Sequence, residues 1–265
     1  MSYRIGRREP LRRAVGRVAA EEVDGALADA ADRTRPLDAR IHAVRVHLKR
    51  ARAALGLMGR RRRARRTDRA LRDVARRLAR ARDGAIARRE LRALGAPNRA
   101  PRTPARDEAD LAEAVSALER VQRRGRRLAG RRSVGEGRRA FVRGYRDARR
   151  LLRCLRADDG PARFHAWRKA VKRLALQARL LEGVAPRLSH DLRATLEDLA
   201  ERLGALHDLT VAESRLRRSD TKPRARLRAA EATRRASALA LGEHILSTRP
   251  RAIRERLDHE WRRAH

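Results

Sequence analysis

Two stretches of the chain set a histidine, an arginine and a lysine at intervals of three and four residues. The first is "RIHAVRVHLKRARAALGLM" at 40–58, with His42, Arg45, Lys49 and Arg52; the second is "RFHAWRKAVKRLALQARLL" at 163–181, with His165, Arg168, Lys172 and Arg179. At about 100° per residue, His42, Arg45, Lys49 and Arg52 share an arc of roughly 80°, and His165, Arg168, Lys172 and Arg179 fall together in the same way. Ile41, Val44, Leu48, Ala51 and Leu55 fill the adjoining arc in the first helix, and Phe164, Trp167, Val171, Leu174 and Ala178 fill it in the second. Cations on one face repel each other. Along the border of a buried stripe they are partly desolvated, and there they attract an anion more strongly than on an open surface.

The two stretches are copies. His42, Arg45, Lys49 and Arg50 match His165, Arg168, Lys172 and Arg173 at an offset of 123. Further along, "ARRLARARDGAI" at 75–86 matches "AERLGALHDLTV" at 200–211 at an offset of 125, pairing Arg77 with Arg202 and Asp83 with Asp208. Two segments in the same order with nearly the same offset indicate a duplicated unit of about four helices. Lysine sharpens the point. Of 70 Lys plus Arg only Lys49, Lys169, Lys172 and Lys222 are lysine, and two of the four occupy the same place in both copies. A compact, rotatable ammonium acts as a point charge where a planar guanidinium fork does not fit. The paired histidines read as ridge residues that donate hydrogen bonds or gain charge when an anion arrives. Asp83 and Asp208 read as partners that orient ridge arginines. No zinc site is expected, because His42 and His47 are five residues apart and point to different sides of their helix.

The elements that must carry these ridges are helices. Helical periodicity runs from about residue 8 to the end. Gly and Pro mark most of the breaks: 33–38, 59–67, 94–104, 130–137, 157–161, 183–190 and 219–223. About eight helices with short connections result, so neighbours are antiparallel and the chain forms bundles. The segment 223–265 reads as one long helix with a weak point at "ALALG" (238–242). Cys154, the single cysteine, lies among leucines in "ARRLLRCLRA" and reads as a small core residue.

The formal net charge is +37, with 42% hydrophobic and 2% aromatic residues. Repulsion on that scale disfavours compactness, and a bound polyanion relieves it. Arginine enrichment explains the quantity of charge but not its placement. The N-terminal twenty residues are basic without a continuous apolar segment, and no stretch is apolar for long enough to span a bilayer, so the expected location is the cytoplasm. "GRRRRARR" at 59–66 reads as a solvated helix end that could extend an anion track. Glu21, Glu22, Asp24 and Asp29 on the first helix read as partners for neighbouring basic helices.

A pair of "HxxRxxxKR" helices, each followed by "RDGAI" or "HDLTV" about 35–40 residues on, resembles the CHAD family, the conserved-histidine α-helical domains. The resemblance covers residues 8 to 260. It implies an all-α fold of two tandem antiparallel four-helix bundles related by pseudo-twofold symmetry. The repeats, about 8–130 and 131–265, would make a single CHAD domain over 8–265. Basic residues of both halves would meet around a central groove or pore. The resemblance further implies binding of inorganic polyphosphate and association with polyphosphate granules. The binding residues carried over are His42, Arg45, Lys49, Arg50 and Arg52, and His165, Arg168, Lys172 and Arg173. Arg77, Arg179 and Arg202 join them as candidates from the ridge and the repeat. The copies differ at Ala175, in the place of Arg52, and at Arg82, which matches His207, so these two positions are the weakest candidates.

The residues agree with a phosphate ligand on separate grounds. A reader of single-stranded nucleic acid exposes aromatic platforms, whereas Phe141, Tyr145, Phe164 and Trp167 occupy core-like positions and only Tyr3 and Trp261 remain, near the termini. Sequence-blind binding of DNA through its phosphates stays open as the alternative. No ExExK strand of the triphosphate-cleaving domains and no Walker-type glycine loop occurs, so the expectation is a binder without catalytic residues or cofactor.

Overall fold

The computed structural model describes residues 3–59, 61–93, 95–96, 104–125, 134–156 and 159–264. The helices are α1 (Leu11–Ala31), α2 (Leu37–Gly56), α3 (Arg62–Arg77), α4 (Ala79–Ala93), α5 (Pro104–Gly125), α6 (Val134–Arg153), α7 (Pro161–Leu180), α8 (Pro186–Glu213), α9 (Thr221–Ile245) and α10 (Pro250–Ala264). A single 3-10 turn, Leu181–Gly183, joins α7 to α8, and among the described residues there is no strand. The fold is all-α.

The element order follows the duplication. α1 and α6 begin 123 residues apart, α2 and α7 carry the two ridges, and α8 takes the place of α3 and α4 together. α1, α2, α3 and α5 pack on one another in the first half, and α6, α7 and α8 with α9 and α10 in the second. The halves meet where α2 packs on α7 and α4 on α8. The expected boundary at 130/131 lies outside the described residues.

Among the described residues ten helices stand where about eight were expected, and each extra break has a local setting. The hydrogen-bond ladder is interrupted at Leu78, whose ψ is 1°; its repeat mate Leu203 lies inside the unbroken α8. The long helix expected over 223–265 ends instead at Ile245, beyond the supposed weak point, and α10 restarts at Pro250. The Tyr145 hydroxyl of α6 stands 3.3 Å from the Ile245 carbonyl and 3.0 Å from that of Thr248, so it can donate to carbonyls freed at this turn. Cys154 is exposed rather than in the core. It follows the last turn of α6, where Leu152 and Leu155 take the inward directions.

One continuous core runs through both halves and is rich in alanine and leucine. Small residues let the helices approach closely. A Cβ on Gly242 of α9 would lie 2.5 Å from the Trp167 ring of α7, and one on Gly25 of α1 would lie 2.5 Å from the His47 ring of α2. At that second contact His47 stands 2.6 Å from Glu22 and 3.1 Å from Asp29, both on α1. The acidic cluster thus tethers a neighbouring helix, as its sequence position suggested. The N-terminal segment ties the halves together. Tyr3 donates to the Arg50 carbonyl of α2 at 3.1 Å, and the Ile5 amide donates to the Leu180 carbonyl of α7 at 2.8 Å.

Hydrogen bonding to Glu22 raises the His47 pKa, against a smaller opposing effect of burial. A raised folded pKa stabilises the fold fully below the unfolded value of about 6.5 and loses that contribution as pH rises through the folded value. His47→Gln should therefore lower urea stability at pH 5.5 more than at pH 9. Gly25→Ala, which forces the His47 ring aside, should cost about 1–3 kcal/mol in the same titration.

Candidate anion-binding site

The two ridges converge. α2 contributes His42, Arg45 and Lys49, and α7 contributes His165, Arg168 and Lys172. Of the charges acting on Lys49, Lys172 acts most strongly, followed by Arg45, Arg82 and Arg168. Between them Arg82 of α4 lies 3.1 Å from Asp83 and 3.1 Å from Asp208 of α8. His207 of α8 faces His165, with ring centroids 4.8 Å apart. Each helix places its ridge residue for the reason read in the sequence: Val44, Leu48, Val171 and Leu174 are fully buried one step round the helix, and the cations beside them are half-buried.

Five cations (Arg45, Lys49, Arg82, Arg168 and Lys172) therefore face two carboxylates, Asp83 and Asp208. Lys49 and Lys172 have no carboxylate within ion-pair distance among the described residues, and Arg168 has only the His165 ring nitrogen, 3.4 Å away. Arg45 donates to the Ala75 carbonyl, near the end of α3 where the ladder is interrupted. The Nε atoms of Arg45 and Arg168 are both buried without a hydrogen-bond partner. A buried donor left unpaired costs about 1–3 kcal/mol. The two donors occupy repeat-related positions, and both lie among repelling charges.

The electrostatics follow. Burial and then Lys172 push Lys49 down to about 7. Burial and then Arg82 push Arg168 down to about 10. Lys172 is lowered by burial and then Arg168, and Arg45 by burial and then Arg82. Burial, then Lys169, lowers His165 to about 4; burial, then Arg168, lowers His207 to about 3. His42, the most exposed of the three histidines, is lowered by its partial burial and then by Lys49. All three shifts favour the neutral ring.

The remaining candidates are distributed as follows. Arg52 bonds Asp68 of α3 at 2.9 Å and acts on Lys169 at the edge of the cluster. Arg173 is exposed, with its Cδ near Gly56 at the α2–α7 crossing. Arg50 and Arg179 flank Tyr3: the Arg50 guanidinium lies 5.8 Å from its ring, and both raise the positive potential at its hydroxyl. Arg77 and Arg202 are not brought to the cluster. Both are exposed; Arg77 pairs with Glu113 of α5, and Arg202 bonds Ser237 of α9 at 2.7 Å. Each of these arginines reaches the next helix, α5 or α9, a fastening role that both copies share. Arg82 and His207, ranked lowest because they break the repeat symmetry, stand inside the cluster.

The ends of the cluster differ. Ile41, Ala81 and Arg82 line a cavity of about 150 Å3. Their repeat mates Phe164, Leu206 and His207 line one of about 10 Å3, room for a single water. Among the described residues no group of three His, Cys, Asp or Glu could hold a metal ion, and no helix is long and apolar enough to cross a membrane.

The sequence profile of the CHAD domain matches residues 11–217. The chain belongs to the CHAD-domain family. A crystal structure of the CHAD domain from the plant Ricinus communis is similar to it, with a TM-score of 0.58 over 97% of this chain and 93% of that one. The two are 18% identical, so this likeness concerns the fold alone. No curated protein matches the sequence. In this CHAD domain the matched span takes in both ridges and stops before α9 and α10.

Lys49 is a charge that the fold holds at a cost. Its unfolded pKa lies at about 10.5, so between pH 7 and 10.5 the unfolded chain binds more protons and stability rises with pH. Lys49→Met should stabilise the ligand-free CHAD domain by about 1–4 kcal/mol at pH 6.5, with the gain shrinking towards pH 10 in denaturant titrations.

Proposed function

We propose that this CHAD domain binds inorganic polyphosphate at the cluster formed by α2, α4, α7 and α8, and that it acts as a binder and not as a catalyst. The observation that carries the reading is the convergence of Lys49 and Lys172 beside two arginines whose buried Nε atoms have no acceptor. Phosphate oxygens supply the missing acceptors, and guanidinium forks grip them bidentately. The lysines supply point charges between the forks. A chain of phosphates meets several cations at once without needing a base-reading surface. His42, His165 and His207, neutral in the empty site, gain protons when negative charge arrives.

All six aromatic residues are buried or half-buried, which disfavours stacking on bases and supports a ligand made of phosphates alone. Arg82, held by two carboxylates, would act as a fixed wall while the unpaired lysines and Arg168 make the grip. A cytoplasmic place, with association to polyphosphate granules, belongs to the same proposal.

Polyphosphate binding should weaken steeply with rising salt as counterions are released, and should strengthen with chain length. Lys49→Ala with Lys172→Ala should reduce affinity at least tenfold more than removing two arginines from 61–66; equal losses in filter binding would mean diffuse attraction. Competition by duplex DNA at equal phosphate concentration is expected to fail, and displacement at parity would favour the nucleic-acid reading. An anion raises the pKa of Lys49, so binding at pH 7–8 should take up protons. Calorimetry in buffers of different ionisation enthalpy measures that uptake.

A further inference from the structure

α6 displays arginine along its outer face. Phe141, Tyr145, Ala148 and Leu152 turn into the core, while Arg139, Arg143, Arg146, Arg150 and Arg153 are exposed. At about 100° per residue these five fall within an arc of roughly 80°, and at about 1.5 Å per residue the stripe is about 21 Å long. Each is the i+3 or i+4 neighbour of the one before, a spacing at which like charges weaken a helix. Elsewhere the chain uses that spacing for pairing: Arg202 meets Asp198, and Arg251 meets Glu255. In the stripe only Arg150 has a carboxylate, Asp147 at 3.8 Å, and the other four have no ion-pair partner among the described residues. The duplication does not account for this. α1, which opens the first half as α6 opens the second, carries Glu21, Glu22, Asp24 and Asp29, and its Arg17 is held by Glu9 and Glu21.

A line of cations joins the stripe to the central cluster. Lys169, next to Arg168 of the cluster, is exposed, and its pKa is lowered by burial and then by Arg168, Arg52 and Arg76. Arg173 follows one turn along α7; it is exposed too, with its Cδ 3.8 Å from where a Cβ on Gly56 would lie. Three residues beyond Gly56, a Cβ on Gly59 would lie 3.4 Å from an Nη of Arg143. α6 and α7 pack side by side at this level, since Gly144 faces Leu174 and Gln177. The end of α2 is thus the place where the cations of α7 give way to those of α6.

We infer that a long polyphosphate chain leaves the α2–α7 cluster over Lys169 and Arg173 and runs outward along the arginine stripe of α6. The inference rests on the proposed binding of polyphosphate and names where the chain goes once the cluster is filled. A thread of phosphates can enter the half-buried cluster and lie along an exposed helix in one binding event, whereas a rigid duplex does not thread between α2 and α7. The guanidinium forks of the stripe take phosphate oxygens two at a time. Joining cluster and stripe through one chain raises the overall affinity, because the second engagement is intramolecular. Arg173, which stands outside the cluster, becomes the step between the two.

The test compares tripolyphosphate with chains of about fifty phosphates on the whole protein. From Lys49 to Gly56 is already about 10 Å of helix, beyond the span of tripolyphosphate. Titration at about 0.15 M salt confines the attraction to close contacts. Arg143→Gln, Arg146→Gln and Arg153→Gln together remove stripe charge at exposed positions, where glutamine keeps the helix. Arg215→Gln, Arg218→Gln and Arg226→Gln, exposed in and after the α8–α9 turn, remove the same charge elsewhere. A longer chain offers more registers to every variant, so the quantity read is the ratio of long-chain to tripolyphosphate affinity. The stripe variant should bind tripolyphosphate as the parent does and lose about tenfold or more of that ratio; the control variant should keep both. A ratio unchanged in the stripe variant, or reduced equally in the control, overturns the inference and leaves the central site intact. Tripolyphosphate binding that Lys49→Ala with Lys172→Ala does not weaken overturns the central site, and the inference with it. Duplex DNA that loses affinity in the stripe variant while the ratio stays assigns α6 to nucleic acid and also overturns the inference.

Discussion

The fold is organised around a repulsion. Lys49 and Lys172 are held within each other's field, next to Arg45, Arg82 and Arg168, at a depth where water screens them poorly. Nothing in a stable helical bundle requires this. The apolar stripes of α2 and α7 drive the two helices together, and the ridges are carried into the meeting place because they border those stripes. At the crossing itself the amide of Gln177 donates to the Ala53 carbonyl at 3.0 Å, and Gly56 leaves room for it. Packing supplies the free energy that holds the charges close. The charges in turn concentrate a positive field at a depth where water screens it poorly, which scattered surface arginines would not do.

A number of the other arginines are paired elsewhere. Arg17 bridges Glu9 and Glu21, Arg61 reaches Glu136 across the two halves, and Arg224 and Arg228 share Glu213. Such pairs are individually weak, yet they neutralise charge locally, whereas Lys49 and Lys172 have no carboxylate within ion-pair distance among the described residues. The net charge of +37 thus has two components, a broad one that is partly paired and a small central one that is not.

The parts legible in the sequence were those set by periodicity and by repetition. The all-α class and the ridges of α2 and α7 followed from spacing, whereas the meeting of the two ridges was what the family resemblance implied. Repetition also misled. Arg77 and Arg202 recur as faithfully as the lysines, but what recurs is a bond to α5 or α9, and one sequence cannot distinguish a repeated fastener from a repeated binding residue. Broken symmetry misled in the opposite direction, since Arg82 and His207 differ in type while sharing a place. The end of α3 at Leu78 left no mark in the sequence, because a leucine mid-pattern looks the same whether the ladder continues or stops. Cys154 was misjudged because its leucine neighbours take the inward directions and leave it the outward one.

The strap formed by the N-terminal segment bears on the order of assembly. Ile5 is made long before its seat, the Leu180 carbonyl, beside which Gly183 leaves space for the Ile5 backbone. The first half must therefore emerge and compact with its leading residues undocked until α7 has been synthesised. The strap is a late latch, closed by the second half on a first half already in place, and any extension fused ahead of Tyr3 would act on that closing step.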